Sequence, residues 1–359
     1  PIKGFATTLI IGIATSLFAA IFITRLLFEW RLEKDAKPSF ATKLTENVMT
    51  NVNFQFVKKR KLFYLISGLV IAIGLGSLFT QGLNQGVDFT GGRTYTVRFQ
   101  QEYKVSDIST ALGAQFVSED GLKQTPEVKT FGVATQVKVT TKYLIDSPLE
   151  DADQIVEDRL TAGLETISPD FEIMSSQKVG PTIADDITQA AWYSAIFALT
   201  IIFLYIVVRF RKLQFGVGAL VAMLHDVLIV LSLFSLLYKF MPFSLEIDQA
   251  FIAAILTVVG YSINDTVVVF DRIREYLGIH KRQDYEGVIN DALNSTLSRT
   301  INTSLSTLVV LLMIFFFGGE VIRGFVFALI IGVVVGTYSS LCVATPIVVD
   351  LTKLTKKKE

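Results

Sequence analysis

The sequence predicts a multi-pass α-helical membrane protein with one small α+β domain inserted between its membrane helices. The chain has 359 residues, of which 51% are hydrophobic and only 18% charged, unlike ordinary soluble domains. A helix needs about 20 predominantly apolar residues to cross ~30 Å of hydrocarbon. Seven such runs occur, at 5–28, 62–80, 190–208, 215–238, 250–270, 301–317 and 324–351.

The first apolar run resembles the last one. The sequence IKGF at 2–5 recurs as IRGF at 322–325, and LIIG at 9–12 recurs at 329–332, at a constant offset of 320 residues. Chance similarity between two apolar helices is the alternative, but the shared register favours equivalent last helices of two repeated halves. We therefore expect residues 1–28 to close a preceding half, and the residues after 61 to form the second half.

Basic residues predict how the chain crosses the membrane. They cluster in alternate connections, which the positive-inside rule places in the cytoplasm. The amino-terminal end is then outside and the carboxyl terminus is cytoplasmic. The expected order after the first helix is a cytoplasmic linker at 29–61, a helix at 62–80, an exported region at 82–188, five further helices within 189–351 with a cytoplasmic loop at 271–298, and a basic cytoplasmic tail at 352–359.

The exported region alternates strand and helix patterns in the order β-α-β-β-α-β, which is typical of a ferredoxin-like domain. Strands are predicted at 93–99, 127–131, 134–140 and 171–179. Helices are predicted at 107–116, with Ser106 as N-cap, and at 149–166, with Ile155, Leu160 and Leu164 facing inward. The region contains no histidine or cysteine, so we expect a binding or moving part. Its entry, GVDFTGG at 86–92, forms a turn-rich neck containing Asp88, Gly91 and Gly92.

One carboxylate, Asp265, lies inside the fifth apolar run. An ionisable side chain in hydrocarbon costs roughly 2.5–3.5 kcal/mol on insertion scales, so it is kept where a partner or a water-filled path receives it. Helical spacing places Tyr261 and Ser262 on its face, and Asn264 precedes it. The alternative is that Asp265 lies near the membrane surface and is simply solvated.

A second polar stripe opens the sixth apolar run. Arg299, Asn302, Thr303, Ser306 and Thr307 follow i, i+3, i+4, i+7, i+8 spacing. Two antiparallel neighbouring helices would set Arg299 at a depth similar to that of the carboxylate in the preceding run. We therefore predict a functional acid–arginine pair. The alternative for Arg299 is an interfacial anchor.

The membrane region has two further features, a histidine–aspartate pair with two possible roles and a set of small residues in the last run. His225 and Asp226 lie near the middle of one apolar run, and they are either a proton-handling pair or structural groups bonded to a neighbouring helix. Small residues in the last run fit close helix packing: Gly324, Gly332, Gly336, Ser339 and Ser340. No phosphate-binding loop, zinc-protease motif or nucleic-acid patch is present, and we expect no metal site.

Four motifs together resemble the SecF family. They are GVDFTGG at 86–92, LHDV at 224–227, VGYSINDT at 259–266 continuing to FDRIRE at 270–275, and SRT at 298–300. SecF is the smaller partner of SecD in bacterial protein export, within the resistance-nodulation-division (RND) superfamily. The resemblance covers about 53–351 and implies an RND-type six-helix half. Residues 1–28 resemble the last helix of SecD, which implies a fused SecD–SecF parent chain.

The resemblance implies a non-enzymatic accessory of protein export in the bacterial inner membrane, driven by the proton motive force. It implies no cofactor other than protons, with Asp265 and Arg299 as coupling residues and a further carboxylate in the SecD half. Implied partners are the SecD half, the SecYEG translocon, YajC and YidC, translocating preproteins and membrane lipids. The alternatives are an RND-type proton-coupled exporter of small molecules or lipids, and a structural scaffold. Proton flow that depends on Asp265 would distinguish them.

Overall fold

The computed structural model describes residues 2–34, 52–117, 123–147, 149–241 and 243–356. Within these residues, seven helical spans are long and apolar enough to cross a membrane, which confirms the predicted number. The first span joins α1 (Ile2–Phe18) to α2 (Thr24–Leu32) through a π-helical turn at Ala19–Ile23. The second is α3 (Arg60–Thr80), whose 21 residues reach about 30 Å at 1.5 Å per residue.

A short helix and a small antiparallel sheet with two longer helices follow the second span. Its elements are the short helix α4 (Val87–Thr90), then β1 (Gly92–Phe99), α5 (Val105–Gln115), β2 (Glu127–Phe131), β3 (Val133–Thr141), α6 (Ala152–Glu165) and β4 (Phe171–Val179). The strand order is β2-β3-β1-β4, and each neighbouring pair is antiparallel. The β-α-β-β-α-β order predicted for an inserted ferredoxin-like domain is therefore confirmed.

The core of this domain lies between the sheet and its two helices. Val97, Ile108, Leu112, Leu160 and Leu164 are all 0% exposed. Three local expectations within the domain were wrong, and they concern the starts and the inward faces of the helices.

The predicted cap of the first helix is not formed. Lys104 occupies the N-cap position of α5 without a side-chain bond, while Ser106 lies inside the helix and donates to Asp107 Oδ1 at 3.1 Å. The second helix starts at Ala152 and not at 149. Its inner face carries Val156, which lies four residues before Leu160 and is buried, while Ile155 is only half-buried.

The remaining spans form the membrane domain. They are α7 (Pro181–Phe210), α8 (Leu213–Leu237), α9 (Gln249–Ile279), α10 (Tyr285–Phe317), and α11 (Glu320–Ser339) joined through a π-helical turn at Ser340–Ala344 to α12 (Thr345–Lys356). The first two turns of α7 occupy 181–188, which the sequence had assigned to the exported region. Pro181 favours this early start, because proline suits the first helical position.

The loop expected at 271–298 is helical except at 280–284. The length of an apolar run reveals only the part of a helix that faces lipid. Beyond these runs the two helices continue with buried apolar residues at helical spacing, and Ile273, Ile289 and Leu293 are all 0% exposed. Asp284 caps the second helix by accepting from Gly287 N at 2.9 Å. The end of the expected linker also packs here, and its Val57 is 1% exposed. Linker residues 35–51 and residues 357–359 of the carboxyl-terminal tail lie outside the described residues.

Small residues allow close helix packing, as predicted for the last run. A Cβ added to Gly332 would lie 2.0 Å from Val258 Cγ2, and one added to Gly336 would lie 3.0 Å from Ser262 Cβ. Helices α9 and α11 therefore approach each other along these glycines. Gly324 packs against the Ser244 carbonyl in the same way.

Candidate functional site

The buried carboxylate of Asp265 faces a serine hydroxyl, and among the described residues it pairs with no cation. It lies on α9 and is 4% exposed. Ser304 Oγ on α10 donates to its Oδ2 at 3.5 Å and lies 2.5 Å from Thr337 Oγ1 on α11. Tyr261 OH donates to the same serine at 3.4 Å. Three helices thus meet at one buried acid.

Arg299 does not form the predicted direct pair with Asp265. Helices α9 and α10 are neighbours, as expected, but the side chain that reaches the acid is Ser304, five residues further along α10. Five residues span about 7.5 Å of helix axis. Side chains also lean towards the helix N-terminus, which carries the guanidinium further away.

Arg299 instead lines a cavity of about 710 Å³ near the expected cytoplasmic ends of the helices. The neighbouring acids are paired with other arginines: Asp271 with Arg209 at 2.9 Å and Glu275 with Arg272 at 2.8 Å. Among the described residues, Arg299 itself forms no ion pair. The guanidinium therefore does not contact the buried acid.

The predicted polar stripe on α10 points away from the acid. Asn302, Thr303 and Ser306 are exposed and Thr307 is half-buried. The inward face is one residue out of register and carries Thr296, Thr300 and Ser304, which are 5%, 1% and 8% exposed. The predicted stripe and the inward face both fit helical spacing, so the sequence pattern did not distinguish them.

The polar residues of α9 also divide between two directions. Tyr261 and Asp265 turn towards α10, whereas Ser262 donates to Asp226 Oδ2 on α8 at 2.5 Å. Asn264 is exposed and joins neither group. The predicted single polar face is therefore two faces of one helix.

A second buried polar network surrounds His225 and Asp226. His225 Nδ1 lies 2.9 Å from Asp226 Oδ1, and its Nε2 lies 3.0 Å from Ser67 Oγ on α3. Ser339 on α11 donates to Asp226 Oδ2 at 2.8 Å. Asp226 is 0% exposed. The network joins four helices, so these residues make the inter-helix contacts that one interpretation required; their part in proton handling stays a prediction.

The neck of the exported domain reaches the start of the helix that carries the buried acid. Asp88, 9% exposed, accepts from Gln249 N at 3.0 Å. Gly91 and Gly92 follow with φ of +67° and +141°, backbone conformations that favour glycine.

Asp248, just outside the membrane-spanning segment, is the local cap of the same helix and accepts from Phe251 N at 2.7 Å. Burial raises the pKa of Asp248, and the nearby charges of Asp88 and Glu246 raise it further. In the part of the chain that the structure describes, no cluster of three or more His, Cys, Asp or Glu side chains is arranged to hold a metal ion.

Comparisons with known proteins match this architecture. A family model described as protein export membrane protein SecD/SecF, C-terminal, matches residues 159–354, and a model of the SecD/SecF GG motif matches 76–102. Protein translocase subunit SecF of Rhodothermus marinus is 45% identical over 304 residues, covering 85% of this chain and 95% of its own length. The chain belongs to the SecF family. The second match includes the neck with Asp88, Gly91 and Gly92.

Relatives named SecDF match along nearly the whole chain. Protein translocase subunit SecDF of Thermus thermophilus is 34% identical and covers 100% of this chain. The crystal structure of that organism's SecDF, a translocon-associated membrane protein, superposes with a TM-score of 0.81 at 32% identity and covers 98% of this chain. The chain spans about half the length of these two, 46% and 45% respectively.

Proposed function

We propose that this chain is the SecF part of a protein-export device that works with a SecD half and the Sec translocation machinery. Membership of the SecF family supports a role in protein export, and its relatives are named protein translocase subunits. The proposal treats the chain as a mechanical accessory and not as an enzyme. Its cargo is the translocating preprotein, which it helps to draw outward from the SecYEG channel.

The first span supports a SecD partner fused upstream. The most apolar part of this span is not buried against the rest of the described chain. Its surface is therefore available to lipid or to other helices. The SecF relative from Rhodothermus covers 85% of the chain, whereas SecDF covers all of it. We assign α1 and α2 to the last membrane helix of a SecD half.

Protonation of Asp265 is the proposed driving step, with protons as the only cofactor. The observation that carries this proposal is a membrane carboxylate, 4% exposed, that accepts from the Ser304 hydroxyl and, among the described residues, pairs with no cation. Hydroxyl groups can donate to an ionised carboxylate or accept from a protonated one, so the site accommodates both states. Its low exposure argues against a surface-solvated carboxylate.

Arg299 is proposed to sense the charge of this acid through the protein interior, without a direct contact. Interaction between charges is stronger in the protein interior than in water. When the acid is ionised, it attracts the guanidinium towards α9; when a proton arrives, that attraction is lost and α10 is free to shift. The 710 Å³ cavity beside Arg299 provides room for such a movement and for water on the cytoplasmic side.

The available energy is sufficient for a multi-proton cycle. Moving one charge across 100 mV releases roughly 2.3 kcal/mol. Driving a two-state element from 1:99 to 99:1 requires about 5.5 kcal/mol. Two or three charges per complete switch are therefore needed at that potential, and fewer when a pH gradient contributes.

The proposed setting is the bacterial inner membrane, with the amino-terminal end of this chain outside and its carboxyl terminus in the cytoplasm. The distribution of basic residues supports this orientation. YajC, YidC and membrane lipids are further proposed neighbours. No observation on the described residues favours export of small molecules or lipids.

Substitution of Asp265 tests the proposal. Asp265→Asn keeps the shape of the protonated acid but cannot titrate, so we expect normal assembly and loss of proton-dependent stimulation of preprotein export. Thr257→Val is the matched control, because it removes a hydroxyl of the same helix whose bond among the described residues is to its own backbone, at Ala253 O. Arg299→Met should also fail, and Arg299→Lys should retain part of the activity because the charge remains. Undiminished proton-dependent export by folded Asp265→Asn would refute the mechanism.

A further inference from the structure

Helix α9 is capped at its N-terminus by two carboxylates that come from different parts of the chain. Asp248 accepts from Phe251 N in the usual local manner. Asp88, 161 residues earlier, accepts from Gln249 N at 3.0 Å. An unpaired N–H at a helix start is satisfied, and the carboxylate also interacts favourably with the positive end of the helix dipole. The exported domain therefore supplies part of the cap of a membrane helix.

The backbone around Asp88 is fixed to the same place by a short parallel ladder. Gly86 N donates to Ile247 O at 2.8 Å, and Ile247 N donates to Asn84 O at 2.8 Å. The short helix α4 then carries Asp88 inward, and Gly91 turns the chain into strand β1 of the exported domain. Any rotation of that strand about the neck consequently acts on the cap.

A side-chain ion pair makes a second connection. Lys138 on strand β3 lies 2.6 Å from Glu246, and their side chains are 22% and 10% exposed. This pair closes one side of a cavity of about 390 Å³ between the open face of the sheet and the membrane domain. The cavity wall includes Thr94 and Gln177 from the sheet and Phe251 from α9.

The capped helix runs without interruption to the buried acid. Gln249 and Asp265 belong to the same 31-residue α-helix. Their separation of 16 residues corresponds to about 24 Å at 1.5 Å per residue. A continuous helix moves as a rigid element, so a displacement at its outer end reaches the acid without an intermediate joint.

We propose that Asp88 is a positioning residue that, together with the Lys138–Glu246 pair, couples the orientation of the exported domain to the helix carrying Asp265. The inference rests on the proposed function, because it assigns the route between proton binding and domain movement. Without these contacts the acid still takes up and releases protons, but the exported domain no longer follows. Loss of the contacts is then loss of coupling, distinct from loss of proton transfer.

The test separates proton flux from export in membrane vesicles that contain the translocase and the complete SecD–SecF pair. Asp88→Ala is expected to lower proton-dependent export at least about fivefold, the lower end of typical coupling effects, while proton flux persists. Asp88→Asn should restore export substantially, because its amide oxygen still accepts from Gln249 N. Asp107→Ala is the matched control, since Asp107 is an exposed acid in the first turn of α5.

The ion pair provides an independent arm that does not depend on folding of the alanine variant. Lys138→Glu and Glu246→Lys should each reduce export with proton flux retained, and the double variant should recover export. The inference is overturned if Asp88→Ala and both single charge variants export normally. Flux and export falling together in these variants would also overturn it, because the residues would then serve proton transfer itself.

The outcome for Asp265→Asn keeps the two proposals distinguishable. If that variant keeps normal export, the proposed function fails first. If it loses flux and export while the neck variants keep both, the proposed function stands and the coupling route through Asp88 is wrong.

Discussion

Removing the Asp226 carboxylate is expected to destabilise the membrane domain more than any single surface change. Its two oxygens contact His225, Ser262 and Ser339, so one side chain connects α8, α9 and α11. The residue is 0% exposed, so bulk water does not reach this position to replace the lost acceptor. Asp226→Ala therefore leaves three buried polar groups without their partner.

The size of the effect follows from the three contacts. Hydrogen bonds between membrane helices contribute about 0.6 kcal/mol on average and up to about 1.7. The two inter-helix bonds, from Ser262 and Ser339, therefore total roughly 1–3 kcal/mol. The contact with His225 on the same helix adds about 0.5–1.5 kcal/mol, so the whole loss is roughly 2–5 kcal/mol, a large part of the usual stability of a domain. Asp226→Asn retains one acceptor oxygen, so we expect a smaller loss of about 1 kcal/mol, within the range for a single hydrogen bond.

Detergent-unfolding curves of the purified protein measure these free energies directly. Thr200→Val is the control, because in the described part of the chain its hydroxyl donates to Ile196 O in the same exposed stretch of α7. Its unfolding free energy should stay within about 0.5 kcal/mol of wild type, as is usual for surface substitutions. If Asp226→Ala is no less stable than the control, the network does not hold the helices together and the interpretation is wrong.

Two further predictions concern helix packing and pH. Gly332→Ala should lower the free energy of unfolding by about 1–3 kcal/mol through overpacking. Adding Val258→Ala should recover part of this loss, because it removes the two methyls nearest the added Cβ. Additive losses in the double variant would contradict the contact. Burial raises the folded-state pKa of Asp248 above its ordinary 3.8, so its ionised form is penalised in the fold, and that penalty grows as pH rises through the folded pKa. Asp248→Asn keeps the cap acceptor and should gain stability relative to wild type from pH 4 to 7 in thermal unfolding; a pH-independent difference would refute this.

The spans and the inserted domain were predictable because each depends on local pattern. Apolar runs of sufficient length give membrane helices, and period-two alternation gives strands such as 127–131, which the structure reproduces to the residue. Helix ends were predicted less well. The extension of α10 back to Tyr285 depends on packing against α9 and the segment around Val57, which no single run of residues reveals.

The candidate site required tertiary information that the sequence lacks. Residues of α10 one position apart point about 100° apart, and the choice between the Arg299–Thr303 face and the Thr300–Ser304 face is made by contact with Thr337 on another helix. The role of Asp88 as a cap is hidden for the same reason. Capping rules relate residues a few positions apart, whereas this bond joins positions 161 apart.

Proton flux through Asp265 is the most direct test of the proposed mechanism. The measurement is the rate at which an imposed pH gradient collapses across vesicles that contain the complete SecD–SecF pair, as wild type, Asp265→Asn or Thr257→Val. The mechanism predicts flux in wild type and in the threonine variant, and background flux only in Asp265→Asn. Equal flux in wild type and Asp265→Asn would contradict proton coupling at this carboxylate.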